Sequence, residues 1–184
     1  FSFQNMMGVP TSTFEDDIET LELNIRCKPW YAWASICTPY PDTELYALAE
    51  KSNMLPKDYL DNIFETYHYR SLLNIPHRLE ANILHKVFAV VVEYPELLPI
   101  VRSKEFYRDT SDERVMALKK VFDAYKDYKQ EKLTKPDLKE PEVITKFVAD
   151  TLNENFSYKS LKFVEAATNH HIPETSLVPN RSGV

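Results

Sequence analysis

The sequence predicts an α/β fold: one βαβ unit at the start of the chain, then a long run of helices. Two short apolar runs, Phe1–Gly8 and Trp30–Cys37, enclose a stretch from Phe14 to Arg26 with helical spacing. Two strands joined through a helix run parallel. Beyond residue 50 the apolar residues recur at three- and four-residue steps, and no further stretch reads as a strand.

The first strand leads into a turn, Val9-Pro10-Thr11-Ser12-Thr13. The following helix matches a capping box, with Ser12 as N-cap and Glu15 reaching back. Asp16 and Asp17 complement the positive end of the helix dipole. Phe14, Ile18, Leu21 and Ile25 form one apolar stripe, and Pro29 stops the helix. The second strand, Tyr31 to Cys37, carries small residues on one side, which suit either a flat ligand or close helix packing. Trp30 and Trp33 fall on opposite faces of it and read as core. Thr38-Pro39-Tyr40-Pro41-Asp42-Thr43 is a stiff, extended loop. Asp42 or Thr43 caps a short helix from Glu44 to Ala49. A loop at the C-terminal end of a parallel strand is where α/β proteins place ligand contacts.

Residues 51–167 read as a helical region. Its segments are Pro56 to about Phe64, His77 to Tyr94, Ser111 to about Lys132, Glu142 to Asn153, and a weaker helix from Ser157 to Ala167. The His77–Tyr94 helix carries Leu79, Ile83, Val87, Val90 and Val91 along one side. A charged linker, Lys135 to Pro141, separates two of the helices. Residues 168–184 read as a polar, frayed tail.

The 184 residues suffice for a sizeable core. Hydrophobic residues make up 43% and charged residues 27%, an ordinary balance for a soluble domain. A net charge of -6 argues against a general nucleic-acid or anionic-membrane binder. No apolar run is long enough to span a bilayer. The chain has only 2 glycines, so it contains no glycine-rich phosphate cradle. Cys27 and Cys37 offer no disulfide framework and no metal-ligand spacing, which fits a reducing, cytoplasmic setting. His77-x-x-Glu80 occurs once and in reversed order, short of the paired motif of di-iron bundles. The lysine-rich stretch from Lys119 to Lys135 mixes charge signs and reads as a solvated face.

Two segments carry a resemblance. Met6-Met7-Gly8-Val9-Pro10 with Thr13, Glu15-Asp16 and Ile18-Glu19-Thr20-Leu21-Glu22-Leu23 resembles the "GLPGET-EDI-ETLEL" stretch of radical S-adenosylmethionine enzymes. Trp30 to Ile36, running into Thr38-Pro39-Tyr40-Pro41 and Thr43-Glu44-Leu45-Tyr46, is similar to "YAWFSIFTPYPGTELY" of the same family, in the branch that carries a cobalamin-binding domain. The resemblance is close over residues 1 to about 75 and loose beyond. It implies that residues 1–50 are the terminal βαβ portion of a partial (β/α)6 TIM-like barrel. The family's Gly after Pro10 is Thr11 here, its next Glu is Ser12, and its Gly after Pro41 is Asp42. The Cys-x3-Cys-x2-Cys cluster motif and the cobalamin-binding histidine motif do not occur in this sequence.

The resemblance implies a division of labour. The missing N-terminal half of the barrel, on the same gene or a separate chain, would hold a 4Fe–4S cluster and cobalamin. S-adenosylmethionine bound there yields a 5′-deoxyadenosyl radical, for methyl transfer or for rearrangement or cyclisation of a small-molecule substrate. This chain would position the nucleotide. Gln4, Asn5, Met6 and Gly8 would lie beside the adenosine. Ser35, Ile36 and Thr38 would meet the adenine edge, and Tyr40 would stack on a ring or point to substrate. No residue is expected to act as an acid, base or nucleophile. The alternative is a non-catalytic helical interaction module that retains a relic βαβ unit. In that reading Met6 or Met7 and Tyr40 only pack.

Overall fold

A computed structural model describes residues 1–63 and 69–156. The predicted 157–167 helix, the 168–184 tail, the end of the helix expected to reach Phe64, and His68 lie outside the described residues.

Two strands, β1 (Ser2–Met7) and β2 (Tyr31–Ile36), pair in parallel with Ser2 opposite Tyr31 and Met7 opposite Ile36. The helix α1 (Phe14–Cys27) joins them. The mixed α/β class and the parallel βαβ unit are as the sequence predicts. Met7 is fully buried and Met6 is 51% exposed, which is the alternation of a strand with one covered face.

The start of α1 departs from expectation. Its N-cap is Thr13, whose hydroxyl accepts from the Asp16 N–H, while the Asp16 carboxylate accepts from the Thr13 N–H. The box is therefore shifted by one residue from Ser12 and Glu15. Ser12 is occupied in the preceding turn, and Glu15 instead pairs with Arg102, which also holds Glu22. This arginine ties α1 to a segment far along the chain. At the other end Lys28 adopts φ +49 and its N–H closes onto Asn24 O, the usual left-handed stop.

The helices that follow are α2 (Glu44–Lys51), capped by Thr43, α3 (Tyr59–Asn62) and α4 (Arg78–Glu93). Then come α5 (Leu98–Val101), α6 (Asp112–Lys132, capped by Ser111) and α7 (Glu142–Phe156). Two 3-10 turns, Pro95–Leu97 and Lys104–Tyr107, flank α5.

The central element is α4. It packs against β2, α1 and α6, and every residue from Ala81 to Val91 is buried. The expected stripe of Ile83, Val87, Val90 and Val91 lies in this core, but Leu79, in the first turn, is 44% exposed. Each fully buried Leu, Ile or Phe of this helix contributes about 1.5–3 kcal/mol. The two faces of β2 are covered differently. Ala32 and Ala34 join Ile18, Leu21 and the α4 residues in one core, so here their small size serves close packing. On the other face Tyr31 stacks with Tyr125 at 6.0 Å and Trp33 meets Phe122 at 6.1 Å, both from α6. Trp30 precedes the strand, so strand alternation does not place it. It is 41% exposed under the Lys129 ammonium, 4.2 Å from the ring centre, rather than in the core.

Each strand ends in the same kind of turn. After β1, Ser12 N–H and Oγ both donate to Val9 O, with Pro10 second and Thr11 third in the turn at φ +74. After β2, Thr43 N–H and Oγ1 both donate to Tyr40 O, with Pro41 second and Asp42 third at φ +64. A proline followed by a left-handed residue is the type II pattern, whose third position favours glycine. Aspartate tolerates that region, whereas β-branched threonine does not. Thr11→Gly is therefore expected to raise the unfolding free energy by about 1 kcal/mol, the left-handed cost less the added chain entropy of glycine. Asp42→Gly is expected to gain less. Urea titrations at unchanged m-value check the ranking, and a lower midpoint for Thr11→Gly would show that the turn is unstrained.

Candidate functional site

The C-terminal ends of β1 and β2 lie side by side, with Cys37 N–H donating to Met7 O at 2.9 Å. Gly8 follows β1 at φ +63. Its N–H is shared between the two carboxylate oxygens of Asp17, at 3.2 and 3.3 Å. Asp17 is 3% exposed, on the inward side of α1. Its Oδ2 lies 3.5 Å from Nε2 of His77, which is itself 6% exposed at the residue before α4. A Cβ on Gly8 would sit 3.2 Å from Cδ1 of Ile75 and 3.6 Å from Cβ of Ala81. The strand end is thus roofed by the segment that leads into α4.

This geometry places the expected site residues in three groups. Gly8 and Thr38 each follow a strand end, one and two residues beyond β1 and β2. Thr38 is 9% exposed with its hydroxyl toward Ile36 O at 3.3 Å, and Ile36 is buried at 1%. Asn5 and Ser35 are tied together within the sheet, where Ser35 Oγ donates to Asn5 O at 3.3 Å. Asn5 faces α1 and exchanges side-chain amide bonds with Asn24 at 3.2 and 2.9 Å, while also donating to Trp33 O at 2.9 Å. Gln4 and Met6 form the third group, exposed on the opposite face of β1. Tyr40 stands apart, 47% exposed in its turn, beside a shallow groove lined by Tyr46, Glu50, Leu55, Tyr59 and Leu60. Tyr59 Oη donates to Pro39 O at 2.8 Å and braces that loop.

Sequence reasoning treats Asp17 only as a dipole partner and misses the Asp17–His77 pair. A signal was present. Asp17, Leu21 and Asn24 fall at i, i+4 and i+7, so a carboxylate sits on the inward stripe of a helix. An inward carboxylate needs a fixed donor, and Gly8 N–H supplies it. Burial, with the Asp17 charge nearby, pushes the Cys37 thiol up to about 12, so this cysteine is a neutral packing group.

A second buried polar cluster lies between α4, β2 and α6. The His85 Nε2–H donates to Ala34 O at 3.0 Å, which leaves Nδ1 to accept from the Lys86 ammonium at 3.1 Å. The Lys86 Nζ also lies 5.4 Å from the Phe122 ring centre and 5.8 Å from that of Tyr69. Burial first, then the nearby Lys119 charge, pulls the Lys86 pKa down to about 7.

Among the described residues no three His, Cys, Asp or Glu side chains converge as a metal site. Cys27 and Cys37 flank β2 at its two ends. No described helix is long and apolar enough to cross a membrane. Compared with protein families, curated proteins and solved structures, the chain matches none of them.

The buried amine sets a pH dependence. With the Lys86 pKa at about 7 in the fold and 10.5 when exposed, the unfolded chain binds more protons between those values. Stability therefore rises with pH from 7, by on the order of 1 kcal/mol per pH unit. From pH 9 the raised Cys37 thiol acts in the opposite sense, because the unfolded thiol ionises first. Denaturation midpoints should thus climb from pH 7 to 9, and Lys86→Met should flatten that climb. An unchanged slope in the variant would mean that Lys86 is charged in the folded state throughout.

Proposed function

We propose that this chain is the closing βαβ unit and helical C-terminal region of a radical S-adenosylmethionine barrel of the cobalamin-type branch, with positioning rather than catalytic residues. The observation that carries the reading is the pair of twin turns. The two positions at which this sequence departs from the family's glycines, Thr11 and Asp42, are the two turn residues held at positive φ, +74 and +64. A backbone that asks for glycine at both of those places is what the resembling stretches would provide. The exposed face of β1 (Gln4 and Met6) and a strand edge that no described residue pairs add support, because a barrel strand needs a neighbour there.

The cofactor fit is partial. Three thiolates are required for the cluster, and this chain has two cysteines, at opposite ends of one strand. Cluster and cobalamin ligands would therefore come from the rest of the barrel. When bound, S-adenosylmethionine on such a cluster supplies hydrogen-abstraction chemistry. The role of this chain would be to offer backbone groups at the strand ends. In the present arrangement the Gly8 N–H is committed to Asp17 and its open side to Ile75 and Ala81. That roof favours the second reading, a non-catalytic helical interaction module built on the same βαβ unit.

The two readings separate in one experiment. Anaerobic co-expression with a barrel half bearing the three-cysteine motif is expected to yield an iron-loaded complex that makes 5′-deoxyadenosine. In the same samples the outward amides of Phe3–Met7 should exchange fast in the isolated chain and slowly in the complex. A complex that forms without iron or 5′-deoxyadenosine supports the module. A monomer with those amides already protected removes the need for a neighbouring strand.

A further inference from the structure

We propose that the strap from Ser71 to Ala81 is a lid over the C-terminal end of β1, latched by the Asp17–His77 contact and able to lift without unfolding α4 beyond its first turn. It rests on the proposed function only for what would enter beneath it.

The strap covers the end of β1 by two side chains, Ile75 and Ala81, which fill the space above Gly8. Leu73 and Ile75 also pack with the buried Cys37 at the end of β2, in a small core separate from that of α4 that Ala49, Tyr59 and Ile63 complete. One piece of chain therefore roofs both strand ends.

Few bonds hold it. The Ser71 N–H donates to Asn82 Oδ1 at 2.7 Å and the Asn74 N–H to Met54 O at 2.7 Å. Between Ser71 and His77 no residue belongs to a helix or strand. The first turn of α4 is fastened through Arg78 N–H to Ile75 O and Ala81 N–H to His77 O. Lifting the strap breaks this set and leaves Asn82 to Val91 in their own core.

The closed state also carries unmet demands. His77 Nε2 is buried 3.5 Å from Asp17 Oδ2 with no hydrogen-bond partner among the described residues. The Tyr107 hydroxyl, near the Glu80 and Asp17 carboxylates, is likewise buried with no hydrogen-bond partner among the described residues. Each such group has given up its hydration without gaining a hydrogen bond in exchange. The attraction of His77 to the Asp17 carboxylate is thus opposed by polar atoms that water or an incoming ligand would satisfy. Local opening of lightly bonded segments below the global unfolding free energy is common in folded chains.

Cys37 is a built-in reporter, since it is 1% exposed beneath the strap. In the full chain carrying Cys27→Ser, alkylation of Cys37 is expected to proceed at a rate independent of urea below the unfolding transition. Hydrogen exchange at Gly8, Arg78 and Ala81 should follow the same opening, at least about tenfold faster than at Leu84 to Val90. His77→Gln and Asp17→Asn should each speed alkylation about tenfold while protection of Leu84 to Val90 changes less. The lid is overturned if Cys37, Gly8 and Leu84 open together with one urea dependence, or if both substitutions leave the alkylation rate unchanged. The urea dependence of the unsubstituted histidine and aspartate form decides the matter alone if a variant does not fold. All of these readouts use the chain without cofactor, so they stand or fall independently of iron loading.

Discussion

A sheet of two six-residue parallel strands cannot bury itself, and the rest of the fold answers that constraint. Two-stranded pairs are marginal in water, and parallel pairs require cover on both faces. Here α4 packs over β2 with α1 against it and against β1, and aromatic side chains of α6 cover the opposite face of β2, while Gln4 and Met6 leave that face of β1 open. The helix α4 touches β2, α1 and α6 at once. It is buried along eleven consecutive positions, an unusual state for a helix that carries Asn82, His85 and Lys86. Those polar residues are tolerated because they are used: Asn82 accepts from Ser71 N–H and His85 donates to the β2 backbone. The polar groups that look misplaced in an apolar helix are the ones that dock it to its neighbours.

The strand ends show a second constraint. Both turns follow one plan, a proline, a left-handed residue, and a hydroxyl that folds back on the turn carbonyl. The plan fixes where the next helix begins, since Thr13 and Thr43 are the N-caps of α1 and α2. The N–H of Gly8, left over by this geometry, finds the Asp17 carboxylate. Asp17 in turn draws in His77 from a segment sixty residues along the chain. A conformational preference of single residues thus propagates to a contact between distant segments.

Much of this was legible in the residues. The 3.6-residue periodicity located α1, α4, α6 and α7 to within a few positions, because each has one face or more that must be apolar. The alternation of Met6 and Met7 was legible because strand geometry leaves no choice. What was hidden is local competition and long-range pairing. Ser12 and Thr13 are both good caps, and only the turn that claims the Ser12 hydroxyl decides between them. Glu15 is free to meet Arg102 because it is not needed at the helix start. The stretch from Pro95 to Tyr107 gave no periodic signal, since its pieces are single turns too short to establish one. The candidate site shows the same split: the chain order alone puts Gly8 and Thr38 just after the two strands, whereas the roof at the end of β1 comes from residues with no local mark of that role.

Taken alone, the sequence determined the order and type of the main elements and the parallel sense of the two strands, because these follow from near-neighbour sterics and hydrophobic period; the loop after β2, read as extended, instead closes in a turn at Asp42. Tertiary structure alone decided which side chains meet: Asp17 with His77, Lys86 with Phe122, Arg102 with Glu15 and Glu22, and Ile75 with Gly8. Such contacts depend on how packed helices are rotated and spaced, and that is set by the summed shape of a whole core rather than by any short run of residues.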